Sequence, residues 1–534
     1  MKLLIWGLVL ASAAYGRVIG TPTQSRSTSS SSAAPVQSPT VYIDTYESTV
    51  QGNRSQYISS VYNFKAIPFA AAPTGAYRWR HPQHVSGWTG VRDATEFAPD
   101  CPQLGSSYYS EDCLYLNIWT PDTATLNDVQ NNTETGIGVV PASSSSKLPV
   151  YVWFYGGRFG SGSSSQALYD GAGLAAKGVV VVTVNYRLGA LGFLAHPELS
   201  QNSSSGTSGN YGLVDQQAAL HWTNENIAAF GGDPTRITIG GQSAGAAAVL
   251  DNLNSPLADG LFEQVIAESG ATYPSNPLIG SVAEGYRHLA VAEAQGTAYL
   301  TSLNLSGIAA ARAAPVEVFL AGADASDVTY VNTVFANNSV YMEPPLFRPV
   351  LDGYVLPATY QEMLQQGNHT IAAVLTGGNR DENGATPNPG MTVESYTRQN
   401  QYEFGSVGLA AEFFRLYPAG NSNSSADAAS NTFYQDQTRI SIWEWANEYQ
   451  AGVARNTSGN STPEDYAIAD RLSDYWVNFL RSGNPNGPEL PNWPANDAAE
   501  PVVMELGDAW EPLLVASAEK RSFMNKWFSN WPVY

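Results

Sequence analysis

The chain is 534 residues long, room for two or three domains of roughly 150 residues or for one large α/β domain. With 26 basic against 47 acidic side chains its formal net charge is -21, which repels phosphate backbones and anionic lipid surfaces and argues against a nucleic-acid partner. There are only two cysteines and no His/Cys cluster at zinc spacing, and nothing in the sequence suggests a cofactor.

Lys2 precedes an apolar run at residues 3–10 and small residues ending at Ala14-Tyr15-Gly16, a signal-peptide pattern (1–16) too short to span a bilayer. No later stretch is long and apolar enough for a membrane span, so the expectation is a secreted, extracellular glycoprotein. Nine N-x-S/T sequons, at Asn53, Asn131, Asn202, Asn304, Asn337, Asn368, Asn423, Asn456 and Asn460, fit that route. Residues 17–39 are Ser/Thr-rich with few large apolar side chains and read as a flexible arm, leaving 40–534 as the folded domain. Residues 67–82 are aromatic and punctuated by proline, as in a loop pinned over a core. Cys101 and Cys113 are read most simply as one small-loop disulfide.

Leu114, Leu116 and Ile118 alternate as in a strand, and residues 127–146 form a polar surface loop. Residues 148–155 and 179–186 are continuous apolar runs of strand length, as expected of strands buried on both faces. Helical spacing at 212–222 leads through Gly231-Gly232-Asp233-Pro234 to a β-branched run, the turn Gly241-Gln242-Ser243-Ala244-Gly245, and a helix-forming stretch. Residues 264–270 and 372–378 read as further strands, with a long helical and loop wall between them. An amphipathic helix over 465–480 stops at Gly483. Strand alternating with helix predicts a mostly parallel sheet wrapped by helices.

Ser243 on a strand-to-helix turn is a nucleophile candidate: the turn lifts the hydroxyl clear of the sheet, and the Ala244 N–H lies at the helix start. Gly156-Gly157-Arg158, after a buried strand, offers a second set of backbone donors for a developing oxyanion. An orienting acid belongs in a loop after a later strand, where Arg380-Asp381-Glu382 stands.

In order along the chain, Glu111-Asp112-Cys113-Leu114-Tyr115-Leu116-Asn117, Tyr155-Gly156-Gly157, Asn185-Tyr186-Arg187, Phe230-Gly231-Gly232-Asp233-Pro234, the Ser243 pentapeptide and Gly483-Asn484-Pro485 resemble the carboxylesterase type B branch of the α/β-hydrolases, which includes fungal carboxylesterases, lipases and cholinesterases. The resemblance runs from about Val41 to the end. It implies an α/β-hydrolase fold, Ser243 as nucleophile, Glu382 rather than Asp381 as the triad acid, oxyanion donors from Gly157, Arg158 and Ala244, a Cys101–Cys113 disulfide and a small-molecule ester substrate.

Three departures stand out. Arg158 occupies a position that is usually glycine, and Asn383 intervenes between Glu382 and Gly384. The third concerns the base. In this fold the triad runs nucleophile, acid, histidine, yet His81, His84, His196, His221, His288 and His369 all precede Glu382. The family's histidine loop and its preceding strand belong between residues 455 and 462, where only Asn456-Thr457-Ser458-Gly459-Asn460-Ser461 is found. The expectation is therefore an ester hydrolase lineage with the histidine segment missing and activity impaired. Either a coding segment is lost from the recorded sequence, or the chain is a non-catalytic binding relative.

Overall fold

The computed structural model describes residues 41–45, 48–122, 147–276, 285–328, 343–367, 369–370, 372–382, 385–453, 468–488, 490–506 and 510–531. The expected signal peptide and arm, the 127–146 loop, the 456–461 interval and Asn383-Gly384 lie outside them.

Ten strands form the central sheet: β1 (Val41–Asp44), β2 (Thr49–Arg54), β3 (Val61–Pro68), β4 (Val91–Asp93), β5 (Tyr115–Pro121), β6 (Leu148–Phe154), β7 (Val180–Val184), β8 (Gly232–Gln242), β9 (Gln264–Glu268) and a tenth at Ala373–Gly377. Two short strands, β10 (Arg287–His288) and β11 (Val350–Leu351), pair outside it, so the tenth is β12, and β13 (Val502–Glu505) pairs with β14 (Glu511–Leu514). The order is β1-β2-β3-β5-β7-β6-β8-β9-β12, with β4 beside β2. Pairing is antiparallel from β1 through β5 to β7 and parallel from β7 to β12. The predicted mostly parallel sheet is thus a parallel block with an antiparallel extension supplied by the N-terminal strands.

The apolar runs are continuous because both faces are covered, and the two-residue period survives within them. Val150, Val152 and Phe154 of β6 enter one core, while Tyr151 and Trp153 enter the other. The first core lies under the helices Tyr211–Asn226 and Ala244–Asn254, and the second under Ala172–Ala176 and Ile468–Ser482. The last of these is the predicted amphipathic helix; residues 465–467 fall outside the described set.

A third, aromatic core joins helices Val393–Gly405, Ala410–Leu416, Asn423–Val453 and Ala518–Phe528. Cys101 and Cys113 form a disulfide with Cα atoms 5.0 Å apart, closing the loop just before β5. No described helix is long and apolar enough to cross a membrane.

Candidate active site

Strand β8 ends at Gln242 and the helix Ala244–Asn254 begins with a single residue between them, so the whole reversal falls on Ser243, at φ 56° and ψ -125°. A residue with a side chain adopts such a conformation only where its surroundings enforce it. Here Ser243 N–H donates to the Glu268 carbonyl at 3.0 Å, anchoring the turn to the end of β9. The flanking glycines are required by contact: a Cβ on Gly245 would sit 2.1 Å from the Phe154 oxygen, and one on Gly241 2.4 Å from the Gly245 carbonyl. Elbow helix and β6 therefore touch backbone to backbone.

The loop after β6 is fixed against this turn. A Cβ on Gly156 would lie 2.5 Å from the Gln242 oxygen and 3.2 Å from Ser243 Cβ. Gly157, Arg158 and Phe159 then run at positive φ (118°, 56° and 57°), and the Gly157 carbonyl accepts from Gly160 and Ser161 N–H. Among the described residues, the N–H groups of Gly157 and Arg158 donate to nothing. The elbow helix has no side-chain cap, so the Ala244 N–H lies among its free first-turn donors. The Arg158 side chain is exposed, and its Nη2 donates to the Glu343 carbonyl at 2.6 Å; the long cation finds its room at the surface.

The motif residues hold this loop in place. Tyr186 stacks on Tyr155 at 4.5 Å and donates its hydroxyl to the Tyr155 carbonyl, the residue before Gly156. Arg187 pairs bidentately with buried Asp215, and Arg78 with Glu111.

Glu382 follows β12, and its Oε1 accepts from the Ser269 hydroxyl at 2.7 Å and from Asn379 Nδ2 at 2.9 Å. Burial raises its pKa above the ordinary carboxylate value, opposed by these hydrogen bonds. Asp381 is instead exposed and pairs with Arg380. A Cβ on Gly378 would approach Glu382 Oε2 to 2.9 Å, so glycine there leaves room for the carboxylate. Strand β9 separates β8 from β12, which spaces the Ser243 and Glu382 loops by about 10 Å, two strand widths.

Sequence reading did not single out Ser269 or Asn379. Ser269 stands at φ 56° just after β9, a second left-handed serine beside the elbow, and its N–H donates to the Gly377 carbonyl. The available signal was a serine-glycine pair ending a strand; recognising it as a partner of Glu382 needs the adjacency of β9 and β12.

None of the six histidines hydrogen-bonds Ser243 or Glu382. His369 precedes β12, while Glu382 follows it, so a five-residue strand of roughly 16 Å separates them. His369 stacks on Tyr449, and burial lowers its pKa. His221 is exposed on helix Tyr211–Asn226. His196 caps helix Pro197–Gln201 and His288 precedes helix Leu289–Ser302. His84 is exposed, and His81 stacks on Tyr354.

The sequence profile of the Carboxylesterase family matches residues 37–441. The chain is similar to fumonisin B1 esterase of Sphingopyxis macrogoltabida, 34% identical over 515 residues that cover 86% of each chain. It is similar to para-nitrobenzyl esterase of Bacillus subtilis at 29% identity, covering 84% of this chain and 92% of that one, and to acetylcholinesterase of Bungarus fasciatus at 28%, covering 83% and 78%. Among solved structures, a PNB esterase aligns with TM-score 0.66 at 28% identity over 91% of this chain and 99% of that chain. A Geobacillus stearothermophilus carboxylesterase at pH 6.2 aligns with TM-score 0.68 at 29% identity over 91% and 100%. Profile, relatives and fold converge: the chain belongs to the carboxylesterase family, with the α/β-hydrolase fold.

Proposed function

We propose that this chain is a secreted carboxylic ester hydrolase that works through an acyl-Ser243 intermediate and, lacking a histidine after Glu382, turns over slowly. The observation that carries the nucleophile assignment is the strained turn at Ser243, held beside unpaired backbone N–H groups. In this reading Ser243 Oγ attacks the ester carbonyl carbon and the C–O bond to the alcohol breaks. The Gly157, Arg158 and Ala244 N–H groups hold the developing oxyanion. The alcohol leaves with a proton from solvent, and water then cleaves the acyl-serine. Glu382 supplies the negative charge that would orient and stabilise a protonated base. With no resident imidazole, the Ser243 proton passes to water or buffer, and what remains is the residual of roughly 10³-fold over water left when one triad member is removed.

The test is nitrophenol release from short acyl esters by the purified chain, with and without added imidazole, against Ser243→Ala. Slow turnover that imidazole raises and Ser243→Ala abolishes is the expected result. Ordinary esterase rates without imidazole would defeat the impairment, and equal rates in wild type and Ser243→Ala would leave the non-catalytic binding reading. Sequencing the transcript across residues 450–462 distinguishes a lost coding segment from a chain that never carried the histidine.

A further inference from the structure

Far from the elbow in sequence, a cavity of about 440 Å³ opens between the segment around Trp79 and the helices Pro197–Gln201 and Ile308–Ala313. Its volume is that of a small-ligand site, and none of its lining residues belongs to the Ser243 or Glu382 loops. Two of them are Arg80 and Arg312.

Arg312 is held in place by backbone: its Nε donates to the Arg78 carbonyl at 2.9 Å and its Nη2 approaches the Trp79 carbonyl at 3.5 Å. Arg80 leaves the same peptide, and its carbonyl accepts from Arg187 Nη2, so this backbone is clamped from two sides. Both arginines line the same cavity. Burial lowers the Arg312 pKa most, and the positive charge of Arg80 lowers it further. Among the described residues, no carboxylate offsets that repulsion. Elsewhere Arg78, Arg187 and Arg348 each have an acidic partner, whereas neither Arg80 nor Arg312 pairs with one among the described residues.

Glu198 also lines the cavity, but its carboxylate accepts the Ile308 N–H at 3.2 Å and is not among the charges acting on Arg312. The apolar part of the lining is Trp79, whose indole N–H is committed to the Ala190 carbonyl, with Leu199, Tyr211, Ile308 and Ala309.

Two unneutralised guanidiniums over an aromatic wall match one ligand chemistry: a carboxylate on an apolar body. The carboxylate takes the fork of N–H donors, and the body covers the rings. We propose that this cavity binds a small organic carboxylate through Arg80 and Arg312, at a site separate from Ser243. A singly charged carboxylate fits better than a phosphate dianion because the net charge of -21 opposes a second negative charge.

The experiment is a ligand-observed NMR titration of the full chain with phenylacetate, uncharged phenylacetamide and inorganic phosphate at matched ionic strength. Phenylacetate binding is expected, weakened at least about tenfold by Arg80→Ala, less by Arg80→Lys, and unchanged by Ser243→Ala and Arg158→Ala. Arg80 is exposed, so its replacement leaves the fold intact. Undiminished binding in Arg80→Ala, equal binding of phenylacetamide, loss of binding in Arg158→Ala, tighter binding of phosphate, or no binding of phenylacetate would each overturn the proposal.

Discussion

At residue scale, Ser243 shows what the turn costs. A non-glycine residue at φ 56° and ψ -125° is strained by roughly 1–3 kcal/mol, and the Glu268 carbonyl and the packed glycines hold it there. Glycine adopts that backbone without penalty. Ser243→Gly is therefore expected to be more stable than Ser243→Ala by about 1–2 kcal/mol, while both variants lose ester turnover. Chemical denaturation of the pair measures the difference, and equal stabilities would mean the turn is unstrained. The serine, the Gly156-Gly157-Arg158 loop and the Arg380-Asp381-Glu382 cluster stood out in the sequence because each follows a recognisable strand run, whereas Glu382 over Asp381 came only from the family resemblance. Ser269 did not, because its meaning lies in a neighbour 113 positions away.

At the scale of elements, the elbow helix Ala244–Asn254 is buried along its whole length and carries a carboxylate, Asp251, into the core. Asp251 accepts a hydrogen bond from Tyr360 at 3.0 Å, yet burial pushes its pKa up to about 8. Glu268 at the end of β9 is likewise pushed to about 8 by burial. A folded-state pKa above the unfolded one means the folded chain holds protons that the unfolded chain has released. The stability these acids contribute is complete below the ordinary carboxylate range and is lost as pH rises towards 8. Each group contributes a slope of order 1 kcal/mol per pH unit inside that window. Thermal midpoints measured from pH 5 to 8 should fall with pH, and Asp251→Asn should flatten the fall, leaving the share due to Glu268. An unchanged slope in that variant would show that Asp251 ionises normally.

The elements also show where pattern reading stops. The runs at 148–155 and 179–186 became β6 and β7 within a residue or two, since strands covered on both faces must be apolar throughout. The helix Asn423–Val453, the longest among the described residues, gave no comparable signal. Its Phe433 and Trp443 face the aromatic core, while Trp445 and Tyr449 face the core under the elbow helix. Apolar positions divided between two partners leave no single stripe for the period to reveal.

At the scale of the whole molecule, the third core is the feature with the widest consequence. Phe404, Phe413, Phe433, Phe523 and Trp527 interlock with centroids 4.2–6.0 Å apart, drawn from four helices. Of the four helices in this layer, Asn423–Val453 is the one that packs on the central sheet, at β12, so the layer has the makings of a separate melting unit. The same helix walls the acid loop: a side chain at Gly378 would meet Ile442 at 3.5 Å and Thr438 at 3.6 Å, and Ser441 accepts the Tyr273 N–H. The acid is thus lodged between a sheet and a layer that can come away from it. On slow heating, hydrogen-exchange protection should fail first across residues 393–450 and around Glu382, with β6 to β9 still protected, and Trp527→Ala should widen the gap between the two steps. A single cooperative loss in both proteins would count against it. Heat would then release the Glu382 loop at temperatures where the Ser243 turn and most of the chain are still folded and able to recover on cooling.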